Sequence, residues 1–86
     1  MEDSSAVRMW FDILEETERQ DAKWGSQRDL SRVDWMPILT EEVGEVAKSI
    51  NDNETIDDLR NELVQVAAVC LQWIDNLDRA KDIDVD

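Results

Sequence analysis

The chain has 86 residues, 42% of them hydrophobic and 36% charged, with 22 acidic against 9 basic side chains and a net charge of −13. That balance suits one amphipathic globular domain rather than disorder, yet a domain this small is marginal alone and calls for unusually good packing or self-association. It also excludes a general binder of polymeric nucleic acid, because phosphate backbones are held by basic stripes and none is visible here.

Two glycines and one proline leave long stretches without a breaker, so helices are expected throughout. The first spans roughly 4–23, with Val7, Trp10, Phe11, Leu14 and Thr17 as its inward stripe. Asp3, Ser4 or Ser5 would cap its start, and Gly25 would stop it. A polar loop, 26–32, follows. The second helix begins near Asp34 as N-cap, which puts Pro37 in the first turn; Met36, Leu39, Val43, Val46 and Ile50 trace its apolar stripe. The run Asn51, Asp52, Asn53 breaks it, and Thr55 with Asp58 resembles a capping pair for a third helix. Ile56, Leu59, Leu63, Val66, Cys70, Trp73 and Leu77 give that helix a stripe in steps of three and four, widened by Ala67, Val69 and Ile74. The tail, 79–86, is acidic, loses the period and is expected to fray.

The expected architecture is all-α: one domain over 1–86, three helices in an antiparallel bundle, completed by oligomerisation into a homodimer or homotetramer. The lone Cys70 reads as a core residue. The acidic N-terminus has no signal-peptide pattern, and no apolar run approaches the roughly 20 residues of a membrane span. A cytoplasmic protein with no membrane partner is the expectation.

Glu41, Glu42 and Glu45 share the second helix, and Glu42 and Glu45, three apart, project from nearly one side at the border of the apolar stripe. Glu62 and Gln65 repeat that spacing on the third helix. If the two helices run antiparallel, Glu42, Glu45, Glu62 and Gln65 converge between them, and hard oxygen donors at one point suit Mg²⁺ or Mn²⁺. Spacing leaves the alternative open, since glutamate pairs are common on solvated helix faces. Lys48 serves equally as a salt-bridge partner or a phosphate contact. Trp24 and Trp35 are candidates to stack on a planar ring, while Trp10 and Trp73 lie on apolar stripes and read as core.

The segment Leu39-Thr40-Glu41-Glu42-Val43-Gly44-Glu45-Val46-Ala47 resembles the EExxE helix of the MazG-like all-α nucleoside triphosphate pyrophosphohydrolases. Asn61-Glu62-Leu63-Val64-Gln65 is similar to that superfamily's second acidic motif, ExxD, and Glu18-Arg19-Gln20-Asp21-Ala22-Lys23-Trp24-Gly25 to the ERxRQDxKWG segment of its small phage-type members. The resemblance covers about residues 8–79. It implies Mg²⁺-dependent hydrolysis of a nucleoside triphosphate to the monophosphate and pyrophosphate. By position, Glu42, Glu45, Glu62 and Gln65 would ligate the metal, and Glu41 would be a further ligand or the base orienting water. Gln20, Lys23, Trp24 and Lys48 would contact the nucleotide. The departure is Gln65, where the family pattern has aspartate and a neutral amide is a weaker ligand. Two other functions fit the same residues: a nucleotide- or metal-binding module without catalysis, and an acidic helical interaction protein.

Overall fold

The computed structural model describes residues 1–83. They form three helices, α1 (Asp3–Trp24), α2 (Arg32–Asn51) and α3 (Ile56–Ile83), with no strand among the described residues.

The helix ends follow local chemistry, with two corrections. α1 is capped at Glu2, in extended conformation and without a side-chain hydrogen bond, rather than by Asp3, Ser4 or Ser5. Gly25 ends it as expected: its φ of 92° suits a residue without Cβ, and its N–H donates to the Asp21 carbonyl at 2.8 Å. The N-cap of α2 is Ser31, not Asp34. Ser31 Oγ accepts from the Asp34 N–H at 3.3 Å, and its hydroxyl donates to Asp34 Oδ2 at 3.0 Å. Pro37 therefore sits in the second turn, and the Val33 carbonyl loses its intrahelical donor. Val33 is exposed, so water can satisfy that oxygen.

α2 closes on Asp52, whose N–H donates to the Lys48 carbonyl at 2.8 Å, and the chain turns through Asn53 at φ 55°. Thr55 and Asp58 then form the expected reciprocal cap: the Thr55 N–H donates to Asp58 Oδ2 at 3.3 Å, and the Asp58 N–H to Thr55 Oγ1 at 3.1 Å. α3 does not stop near residue 79 but continues to Ile83. Arg79 anchors this last stretch, bridging Asp75 on its own helix at 3.1 Å and Asp29 in the α1–α2 loop at 2.8 Å. The remainder of the expected tail, 84–86, lies outside the described residues.

α3 is the middle element. Consecutive helices alternate in direction, so α2 lies antiparallel to α3 and α1 parallel to it. α1 does not pack across both partners as a bundle would suggest: α1 and α2 each dock on α3, and their backbones do not meet. The α2–α3 seam is built on Trp35, which is 1% exposed and stacks on Trp73 with centroids 6.3 Å apart. The Trp35 indole N–H donates to Asn76 Oδ1 at 3.2 Å. Ala68 and Val69 complete the fully buried apolar set.

α1 docks by a different face from the one its periodicity suggests. Trp10 and Phe11 are 55% and 64% exposed, and Val7 and Leu14 also face out. The half-buried residues are Ala6, Met9, Asp12, Ile13, Glu16, Thr17, Gln20 and Asp21, a face displaced around the helix that keeps only Thr17 of the expected stripe. Polar partners on α3 select it: Arg60 bridges Asp12 at 2.7 Å, and the Gln72 amide donates to Asp21 Oδ1 at 3.2 Å. On α3, too, the expected stripe divides. Val66 and Trp73 are partly covered, while Ile56, Leu63, Ile74 and Leu77 are exposed.

Candidate acidic site

The antiparallel seam sets the carboxylates of α2 against Glu62 of α3. Burial holds the Glu42 carboxyl above the ordinary carboxylate range, and the negative charges of Glu62, Glu41, Glu45 and Glu16 push it further the same way. Glu62 is raised first by burial and then by Glu45, Glu54 and Asp58, while the Lys48 ammonium acts in the opposite direction. Each of these two glutamates has one oxygen, Oε2, shut away from solvent without a hydrogen-bond partner. A buried carboxylate oxygen without a donor is unfavourable.

Glu41 and Glu45 are exposed at the edge of the pair, and Gln65, one turn beyond Glu62, is half-buried. The donors present are the hard oxygens that Mg²⁺ or Mn²⁺ takes, and the two orphaned oxygens on facing helices match a cation in charge. Among the described residues, however, no three acidic, thiol or imidazole side chains are drawn together closely enough to hold a metal ion. The residues fit a divalent cation in donor type and charge, and stand as neighbours rather than as a closed shell.

Around this pair the other candidates fall into two groups. Gln20 belongs near the site, since its amide donates to Glu16 Oε2 at 3.1 Å and Glu16 acts on Glu42. Arg19 grips the same Glu16 through Nε at 3.0 Å and Nη2 at 2.8 Å. A cleft of about 260 Å³ beside it is walled by Asp12, Glu15, Glu16, Arg19, Arg60 and Asn61. Lys48 is bonded to Asp52 at 2.8 Å, though its charge is felt at Glu62.

Lys23 and Trp24 form a separate unit at the end of α1, with the ammonium 4.9 Å from the indole centroid and Trp24 59% exposed. Trp35 is removed from the ring-stacking candidates by its burial against Trp73, and Trp10 from the core by its exposure. The Arg28 guanidinium also covers Trp35, 5.0 Å from its centroid, and donates to Gln72 Oε1 at 3.2 Å.

Glu16, Glu54 and Asp58 contribute to the acidic field although none was among the expected site residues. Asp58 is legible in the sequence only as a cap, and Glu16 reaches Glu42 only once α1 has docked. No known protein-family model matches the chain, and neither a curated protein nor a solved structure matches it significantly. No helix among the described residues is long and apolar enough to cross a membrane.

Proposed function

We propose that this protein is a Mg²⁺-dependent nucleoside triphosphate pyrophosphohydrolase of the MazG-like kind, yielding a nucleoside monophosphate and pyrophosphate. The observation that carries the reading is the pair of facing glutamates, Glu42 and Glu62, each with a buried, unpartnered oxygen and a carboxyl raised above its ordinary range by burial and by neighbouring carboxylates. They fall within the two acidic motifs in the order and spacing of that superfamily.

Glu42, Glu45 and Glu62 would hold the cation, with the Gln65 amide oxygen as a neutral fourth donor. Bound there, Mg²⁺ supplies charge neutralisation of the triphosphate and of the scissile phosphorus, with Mn²⁺ able to substitute. Glu41, exposed at the rim, would orient an attacking water and accept its proton. Lys48 and Arg19 offer positive charge to the phosphates, although both are held by carboxylates in the free protein. Gln20, Lys23 and exposed Trp24 are left for the sugar and base, the indole by stacking.

Pyrophosphate release from a panel of ribo- and deoxynucleoside triphosphates with Mg²⁺ tests this. At least one nucleotide should turn over, and Glu42→Ala and Glu45→Ala should each lower the rate on the order of 10²-fold. Absence of turnover by the wild type, or full activity in both variants, rejects it.

A second reading, a nucleotide- or metal-binding module without catalysis, is favoured by Gln65 and by the open arrangement of the carboxylates. Under it, Gln65→Asp creates activity that the wild type lacks.

A further inference from the structure

Helical hydroxyls in this chain are satisfied in two different ways. Thr17 and Thr40 return theirs to the backbone, donating to the carbonyls of Ile13 at 2.9 Å and Met36 at 2.8 Å. Ser49, near the end of α2, does not. It is 1% exposed, and its Oγ has no hydrogen-bond partner. Packing alone does not call for a hydroxyl at this position. Alanine is nearly the same size, forms helices better and leaves nothing polar to bury.

The register of the seam shows what the hydroxyl faces. The Trp35 indole N–H donates to Asn76 Oδ1, which fixes where the two antiparallel helices meet. Ser49 lies fourteen residues further along α2, and Glu62 lies fourteen residues back along α3. That interval is about four turns, and both helices rise equally per residue, so Ser49 and Glu62 return to the seam opposite each other. The charges around Glu62 agree with this. Glu45 and Lys48, one turn and one residue before Ser49, both act on it. So does Glu54, whose N–H donates to the Ser49 carbonyl at 3.0 Å. A buried hydroxyl without a partner thus stands across from Glu62 Oε2, a buried acceptor without a donor.

We propose that Ser49 is a positioning residue of the cation site: its hydroxyl donates to Glu62 Oε2 and holds the carboxylate so that Oε1 is presented to the cation. A hydroxyl bond to a carboxylate is charge-assisted, and it removes one polar group from each side of the seam's unsatisfied set. A ligand tied through its second oxygen keeps one orientation, which is how outer partners of metal ligands set affinity. The proposal rests on the reading of Glu42, Glu45, Glu62 and Gln65 as a Mg²⁺ site, and extends it to a residue outside both acidic motifs.

Calorimetric titration of the full chain with Mg²⁺ alone, paired with thermal melts in chelator, tests it. Ser49→Ala should raise the Mg²⁺ dissociation constant on the order of tenfold. Its Tm in chelator should stay at or above the wild-type value, because a buried hydroxyl without a partner has gone. Thr40→Ala, which removes a hydroxyl already bonded to its own helix, should bind Mg²⁺ as the wild type does. Unchanged affinity in Ser49→Ala overturns the role of Ser49 and leaves the cation site standing. A loss of affinity accompanied by a lower Tm in chelator also overturns it, since the hydroxyl then serves the fold, as does an equal loss in Thr40→Ala. A wild type that takes up no Mg²⁺ overturns the cation site and this proposal together.

Discussion

Glu42 and Glu62 bind protons more tightly in the folded chain than in the unfolded one, because burial and neighbouring carboxylates disfavour their charge. Their contribution to stability is therefore fully present below the ordinary glutamate value of about 4.3 and is lost as pH rises through their raised values. In a chelator-containing buffer, the Tm should fall as pH rises above the ordinary glutamate range and through the raised values of the pair. Glu62→Gln should raise the Tm at the alkaline end and flatten the profile. Mg²⁺ should raise the Tm of the wild type more than that of the variant, if the pair takes up a cation. Equal Mg²⁺ shifts in the two proteins would leave Glu62 without a part in binding.

Tryptophan shows what was and was not legible at this scale. Trp24 and Trp35 looked alike as local sequence, but Trp35 finds Trp73 and Asn76 across the seam while Trp24 stays exposed. Trp35→Ala should cost about 3–5 kcal/mol in urea unfolding. Trp24→Ala should change stability by less than about 0.5 kcal/mol.

At the scale of elements, what was legible is what is written in neighbouring residues. Thr55 and Asp58 form the cap that their spacing implied, and Thr55→Ala should destabilise the fold by about 1 kcal/mol in the same measurement. Ser31 and Asp34 have that same spacing, yet the preference of proline for a first turn drew the expected start of α2 toward Asp34. The face of α1 was misread for a different reason. Periodicity locates the most apolar side of a helix, whereas docking depends on what the other helix offers. Here Arg60 and Gln72 of α3 hold Asp12 and Asp21.

For the whole molecule, the three helices and the antiparallel α2–α3 pair were readable from pattern and short connections, and so was the facing of Glu42 and Glu62. The open shape was not. The radius of gyration is 14.6 Å, against about 12 Å for a compact chain of this length. The dimensions of 49 × 31 × 23 Å describe a layer of helices rather than a closed bundle. Three helices enclose a core only when each packs closely on the other two, and the backbones of α1 and α2 do not meet.

That attachment of α1, whose backbone meets α3 but not α2, also sets an order of events in time. The α2–α3 hairpin joins neighbours in sequence through a four-residue link, 52–55, so little loop entropy opposes its formation. α1 starts without a side-chain cap, leaves Val7, Trp10, Phe11 and Leu14 outside, and is held to α3 partly by an ion pair and an amide. It should detach as a unit before the hairpin opens. In native-state hydrogen exchange, the α1 amides should exchange sooner than those flanking Trp35 and Val69, and added salt should widen the gap. Each such opening carries Glu16 and Gln20 away from Glu42, so the acidic site would be whole only while α1 is docked.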